Sequence, residues 1–193
     1  MTKVAGVLLA AGEGSRFGQP KALVRLAGQT LAERGVGLLR AGGADLVLVV
    51  TGAARVELGD GQDMQTVDNP EWRTGMGSSL RAALRSLLDT DVAVAVIALA
   101  DQPLVGQEAV ARLIAAYEGR PRNPVLLARE HWPEVIETAT GDQGARAFLR
   151  AHPDLVTLVE CGDTGRPDDI DTRADLERIT GRDLRRPGSP SCE

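Results

Sequence analysis

The sequence predicts an α/β protein with a mostly parallel sheet covered by helices on both faces. Three observations carry this. Short continuous apolar runs alternate along the chain with longer amphipathic stretches, the pattern of strands joined by crossover helices. Runs such as "LVLVV" and "VAVAVIAL" are apolar at every position, as expected of strands buried on both faces. The length of 193 residues fits one domain with a single core and needs no disulfide or metal staple.

Taken in order, residues 4–10 form a first buried strand. Residues 30–41 read as a helix ended by Gly42 and Gly43. Residues 45–50 are a second buried strand, and 64–67 a short third one running into Asp68-Asn69-Pro70. Residues 77–88 are amphipathic, with Leu80, Leu84, Leu87 and Leu88 on one helical face. Residues 92–99 are the most apolar run and predict a central strand. A helix over 107–117, a strand over 125–128, a helix over 142–151, a strand over 155–159 and a helix over 173–179 follow. A single domain over 1–181 is expected. The remainder, 182–193, is charged and rich in proline and glycine, and is expected to be disordered.

The net charge of −5 and an aromatic content of 3% argue against binding nucleic acid as a polymer. Cys161 and Cys192 lie far apart, which fits a reducing compartment and not a disulfide framework. No charged-then-apolar leader and no long apolar span is visible, so a soluble cytoplasmic protein without membrane contact is expected.

The first strand runs into Ala10-Ala11-Gly12-Glu13-Gly14-Ser15-Arg16-Phe17-Gly18-Gln19-Pro20-Lys21. Such a loop turns sharply and brings backbone N–H groups close to an anion, with Arg16 and Lys21 as cations for a polyphosphate. Its glycine spacing is one residue too long for the dinucleotide fingerprint, and the P-loop Gly-Lys-Ser/Thr is absent. Alone it reads as an ordinary strand-to-helix turn. Asp101 follows the most apolar strand, either as a turn residue ahead of Pro103 or as a carboxylate for Mg²⁺. Asp171 precedes the last helix, where it or Thr172 is an N-cap candidate. A basic loop and two separated aspartates converging on one sheet edge point to a nucleotide–Mg²⁺ site.

Together these residues resemble the nucleotidyltransferases of molybdenum-cofactor synthesis, in particular the cytidylyltransferase branch. Five ordered blocks carry the resemblance over residues 9–176: "LAAGEGSRFGQPKAL", "GMGSSL", "ADQP", "GDQGAR" and "DIDTRADL". The resemblance implies a three-layer α/β/α sandwich, the Rossmann-like fold of nucleotide-diphosphosugar transferases. It implies a Mg²⁺-dependent reaction in which CMP passes from CTP to a phosphorylated acceptor such as molybdopterin, releasing pyrophosphate. A transient partner in molybdoenzyme maturation would then receive the product.

Roles follow from the resemblance residue by residue. Lys21, Arg16 and Asp101 are the catalytic residues. Leu9, Ala10, Ala11, Gly12, Glu13, Gly14, Ser15, Arg16, Lys21, Gly75, Ser79 and Asp101 bind the nucleotide. Asp101 and Asp171 hold the metal. Ala11, where the guanylyltransferase branch has a second glycine, narrows the base pocket toward a pyrimidine. Ser78 is assigned to the chemistry of a helix start. Asn123, Trp132, Asp142 and Arg146 are acceptor-side candidates; Trp132 either stacks on a pterin or packs in the core. His131 and His152 are expected on the surface, outside the chemistry. Arg122-Asn123-Pro124 replaces the branch's Gly-His-Pro, which leaves a sugar phosphate or another phosphate ester open as acceptor, and GTP as donor. A nucleotide-binding regulator or chaperone without turnover is the non-enzymatic alternative.

Overall fold

The computed structural model describes residues 2–58, 63–116, 122–123 and 126–183. In chain order the elements are β1 (Val4–Leu9), β2 (Arg25–Leu26), β3 (Gln29–Thr30), α1 (Leu31–Ala41), β4 (Leu46–Thr51), β5 (Met64–Asp68), α2 (Met76–Leu87) and β6 (Val94–Leu99). They continue with α3 (Gln107–Ala116), β7 (Arg122–Asn123), β8 (Leu126–Ala128), α4 (Trp132–Thr138), α5 (Arg146–Ala151), β9 (Thr157–Leu158) and α6 (Arg173–Asp183).

Seven strands form one sheet in the order β5-β4-β1-β6-β8-β7-β9. β5, β4, β1 and β6 are all parallel, and β8 runs antiparallel to β6. Side chains alternate across each inner strand. From β1 and β6, Val4, Leu8, Val94 and Val96 face one core with Ala32, Val36 and Leu39 of α1 and Val110 and Leu113 of α3. Ala5, Val7, Leu9 and Ala95 face the other with Leu80, Leu84 and Leu87 of α2, Val135 of α4 and Phe148 of α5. The result is the three-layer, Rossmann-like α/β/α sandwich that the sequence predicts. β1 lies between β4, which follows it through α1, and β6, which comes later in the chain. The crevice outside their carboxyl ends is the switch point at which such sheets bind ligands.

α1 begins with a capping box. The Glu33 N–H donates to Thr30 Oγ1 at 3.1 Å, and the Thr30 N–H donates to Glu33 Oε2 at 2.6 Å. The helix expected over 142–151 is instead a 3-10 turn, Gly141–Gln143, followed by α5, because Gly144 at φ +54° interrupts the helical path. α4 and the two-residue β2–β3 pair are additions to the expected elements. His131 and His152 are not simple surface residues. Their rings flank Phe148 at centroid distances of 5.3 Å and 4.7 Å. Among the described residues no helix is long and apolar enough to cross a membrane. Residues 184–193 of the expected tail lie outside the described residues.

Candidate active site

The glycine loop grows out of β1 and is laced to both neighbouring strands. The Ala10 N–H donates to the Val50 carbonyl at 2.9 Å, the Ala11 carbonyl accepts the Ala53 N–H at 3.0 Å, and the Leu9 carbonyl accepts the Ala100 N–H at 3.1 Å. Leu9, Ala10 and Ala11 are therefore buried framework, while Gly12, Glu13, Ser15 and Arg16 are exposed. Gly14 closes the loop. It sits at φ +63°, and a Cβ there would lie 2.0 Å from the Gln19 carbonyl oxygen. Its own carbonyl accepts the N–H groups of Phe17 and Gly18, each at 2.9 Å. Phe17 then anchors the loop by packing into a small cluster with Val24, Leu26, Leu31, Ile170 and Ile179.

That cluster also recruits the chain from a distance. Ile170 is buried in it, and its N–H donates to the Asp101 carbonyl at 2.8 Å. Gln102 Nε2 donates to Asp169 Oδ1 at 2.9 Å. Residues 169–171 thus lie alongside the end of β6, which brings Asp171 to Asp101. Thr172 resolves the capping question. Its N–H donates to Asp175 Oδ2 at 2.8 Å and its hydroxyl to the same oxygen at 2.7 Å. Thr172 and Asp175 close the start of α6, and the Asp171 carboxylate is left for the crevice.

There the predicted catalytic residues meet. Lys21 Nζ donates to Asp101 Oδ2 at 2.8 Å and also to Asp171 Oδ1. Arg16 Nη1 lies 3.4 Å from Asp171 Oδ2. Burial works against the Lys21 charge, but the hydrogen bonds and negative charge of Asp101 and Asp171 outweigh it and hold the ammonium above the ordinary lysine range. Two carboxylates converging on one cation, one from the end of β6 and one from the segment before α6, are hard oxygen donors of the kind Mg²⁺ or Mn²⁺ prefers. Among the described residues no third carboxylate, histidine or cysteine joins them, so phosphate oxygens and water would complete such a coordination sphere. The residues fit the ion.

On the other side of the loop lies a buried polar cluster of Ser78, Ser79 and Asn69, the last of which sequence reasoning missed. Asn69, 3% exposed, follows β5. Its N–H donates to the Thr51 carbonyl at 2.9 Å. Its Nδ2 donates to Ser78 Oγ at 2.8 Å and to Ser79 Oγ at 3.0 Å. The only signal for it was an Asn-Pro pair, which reads as a turn. Ser78 does serve the helix start, donating to the Gly75 carbonyl at 2.8 Å. Gly75 takes φ +107°, where a Cβ would meet the Gly141 carbonyl carbon at 2.4 Å. Asp142 Oδ1 accepts the Met76 N–H at 3.3 Å, so this acceptor-side candidate caps the start of α2.

A cavity of about 480 Å³ opens between α2, the end of β6, α3, α5 and residues 161–167. Apolar side chains line most of it, among them Leu9, Met76, Leu80 and Leu99, with Gln102, Arg146 and Arg166 as polar groups. Arg146, an acceptor-side candidate, is among the lining residues. Trp132 is not. It is 0% exposed, packs in the core and donates its indole N–H to the Leu127 carbonyl at 3.0 Å. A stacking role for Trp132 is corrected to a core role, its one polar atom being satisfied inside. Asn123 contributes backbone to β7; its side chain lies outside the described residues.

The model of the MobA-like NTP transferase domain matches residues 6–156. Nicotine blue oxidoreductase of Paenarthrobacter nicotinovorans is 36% identical, over 91% of this chain and 96% of its own. A probable molybdenum cofactor guanylyltransferase of Opitutus terrae is 51% identical over 47 residues, 24% of this chain and 23% of its own. Among solved structures, the homologue of Mycobacterium tuberculosis Rv0371c from Mycobacterium sp. strain JC1 superposes with a TM-score of 0.77 at 31% identity, covering 94% of this chain and 97% of that one. A nucleotidyl transferase from Methanothermobacter shares the fold at a TM-score of 0.75 and 21% identity, over 96% of this chain and 99% of that one. The phosphate-type loop, the paired carboxylates and the family match over residues 6–156 lead to one conclusion: the chain belongs to the MobA-like NTP transferase family and is a nucleotidyltransferase.

Proposed function

We propose that the chain transfers CMP from CTP to a phosphorylated acceptor such as molybdopterin. An acceptor phosphate oxygen attacks the α-phosphorus, the α–β bridging bond breaks, and pyrophosphate leaves with the bond's electrons. The single observation that carries this is the meeting of Lys21 with Asp101 and Asp171 beside the open loop. The acceptor phosphate is already ionised, so no general base is required. Backbone N–H groups of residues 12–15 and Arg16 would hold the β- and γ-phosphates. Lys21 would meet the charge that builds on the α-phosphoryl oxygens. Asp101 and Asp171 would hold Mg²⁺, which supplies further positive charge to the phosphates. Ala11, buried and bonded to Ala53, supports a pyrimidine by leaving less room beside the loop than glycine would.

The mostly apolar cavity favours a second acceptor class, a phosphate ester with an apolar body. The near-full-length similarity to nicotine blue oxidoreductase supports a further alternative, in which the chain carries out a redox reaction. One experiment separates these readings. Purified protein with Mg²⁺ is given each of the four NTPs with molybdopterin, a sugar phosphate or a prenyl phosphate, and pyrophosphate release is followed. Parallel samples follow NADH and NADPH oxidation with a redox dye. CTP-dependent release with molybdopterin supports the first reading. Release only with another pair moves the assignment to that pair. Dinucleotide oxidation without any release overturns nucleotidyl transfer for this chain.

A further inference from the structure

Residues 160–167 supply one wall of the cavity but have no apolar anchor of their own. Val159 before them packs on the α1 and α3 side of the sheet, and Ile170 after them is buried with Phe17, yet no side chain of the segment joins an apolar cluster. Polar bonds must hold such a segment, and losing one lets it move. A turn stiffens it locally, with the Thr164 N–H and hydroxyl both donating to the Cys161 carbonyl, at 2.9 Å and 2.7 Å.

Among the described residues two hydrogen-bonded ties join the segment to the rest of the chain. At one, the Arg166 N–H donates to the Leu104 carbonyl at 2.9 Å. The backbones touch there, since a Cβ on Gly106 would lie 1.8 Å from the Thr164 carbonyl oxygen. At the other, Arg112 of α3 grips Asp163 with both arms of its guanidinium. Nη1 donates to Oδ1 at 2.6 Å, Nη2 donates to Oδ2 at 2.7 Å, and Nη1 reaches the Glu160 carbonyl at 3.2 Å. A forked pair of this kind fixes orientation as well as distance.

The clasp joins two walls of the cavity. α3 supplies Ala109, Val110 and Leu113, and the segment supplies Cys161, Thr164 and Arg166. Arg112 therefore sets the gap between them. The lining includes none of residues 12–16, Lys21, Asp101 or Asp171, so the cavity is open to the substrate that the glycine loop does not grip. Asp171 is held independently of the clasp, because Ile170 beside it is buried and bonded to the Asp101 carbonyl.

We infer that Arg112 is a positioning residue for the phosphorylated acceptor: by clasping Asp163 it holds residues 160–167 against α3 and shapes the cavity that takes the acceptor's body. This rests on the nucleotidyltransferase reading.

The test uses the full chain carrying Cys192→Ser, which leaves Cys161 as its one cysteine, and the NTP and acceptor that give the fastest pyrophosphate release. Arg112→Gln should raise the acceptor KM roughly three- to tenfold, as for loss of an exposed but bidentate ion pair, with kcat and the NTP KM within about twofold of wild type. Cys161 reports on the wall directly through its rate of alkylation by N-ethylmaleimide. The thiolate is the reactive form, and the Arg112 charge opposes the burial that pushes the Cys161 thiol up. Loss of that charge with the wall in place would slow alkylation, whereas release of the wall should speed it. Arg112→Lys keeps the charge without the fork and should fall between wild type and Arg112→Gln. Asp163→Asn should match Arg112→Gln, and the double variant should go no further than either. An unchanged acceptor KM, alkylation that is unchanged or slower, or an equal rise in the NTP KM in folded Arg112→Gln overturns the inference. Absence of pyrophosphate release from the wild-type chain with every pair overturns the nucleotidyltransferase reading instead.

Discussion

Lys21→Met should make the nucleotide-free protein a better metal binder while destroying it as an enzyme. The Lys21 ammonium, whose side chain is 20% exposed, bonds to carboxylate oxygens of both Asp101 and Asp171. A divalent ion on those carboxylates must displace it. A pair of unit charges about 4 Å apart at an effective dielectric near 20 gains about 4 kcal/mol before desolvation is subtracted. The burial of Lys21 and the partial exposure of Asp171 reduce this, and about 1–2 kcal/mol net is reasonable for charged hydrogen bonds in such a setting. The Mn²⁺ Kd measured without nucleotide, by calorimetry or by the electron-spin signal of free Mn²⁺, should therefore tighten roughly 5–30-fold. Turnover with NTP and acceptor should drop about 10²-fold or more, as for loss of a donor to developing charge. Thermal unfolding without metal should move to lower temperature, since two carboxylates are left facing each other, and added Mn²⁺ should restore it. Unchanged or weaker Mn²⁺ binding in a folded Lys21→Met protein would refute the reasoning, because it would show that Lys21 does not compete for the two carboxylates.

Asp101→Ala removes one of the two carboxylates and should abolish turnover and weaken metal-dependent NTP binding; wild-type kinetics would take Asp101 out of the metal site. Gly14→Ala places a methyl group against the Gln19 carbonyl at positive φ, so NTP binding should be lost with only a small fall in the unfolding midpoint, read by calorimetry and circular dichroism. Trp132→Ala empties a core position and should cost about 3–5 kcal/mol in denaturant titrations, while any soluble fraction keeps its substrate preference. Glu33 is held below the usual carboxylate range by the Thr30 backbone N–H and then its hydroxyl. A depressed folded pKa stabilises above the unfolded value of about 4.3 and is lost as pH falls through the folded one. The melting-temperature gap between wild type and Glu33→Ala should therefore be constant near neutrality and close as pH drops below about 4.

The inner strands were legible because β1, β4 and β6 carry apolar residues on both faces, and only a doubly covered sheet needs that. The direction of β8 was not. Its three residues, Leu126 to Ala128, are buried whichever way they run, and a short apolar run carries no sign of polarity. α4 escaped notice for a related reason. It is seven residues long and opens on Trp132-Pro133, so it has no helical period to count, and its place is decided by the core that Trp132 and Val135 fill.

The site divides along the same line. Lys21, Asp101 and Asp171 stood out because each is charged where a strand or loop ends, and charge at a sheet's carboxyl edge needs a reason. What selects among their possible uses lies in contacts between distant parts of the chain. Asp171 was ambiguous between cap and ligand until Thr172 took the cap. Asn69 looked like a turn until its amide was seen shared between two serines on the next helix. Trp132 was open between ligand platform and core until the Leu127 carbonyl claimed its N–H. In each case the residue type announced a capacity to bond, and the fold decided whether that capacity was spent internally or left for a ligand. Arg16 is exposed and uses only one of its five N–H donors on Asp171, so it is for that reason a residue on which substrate choice should turn.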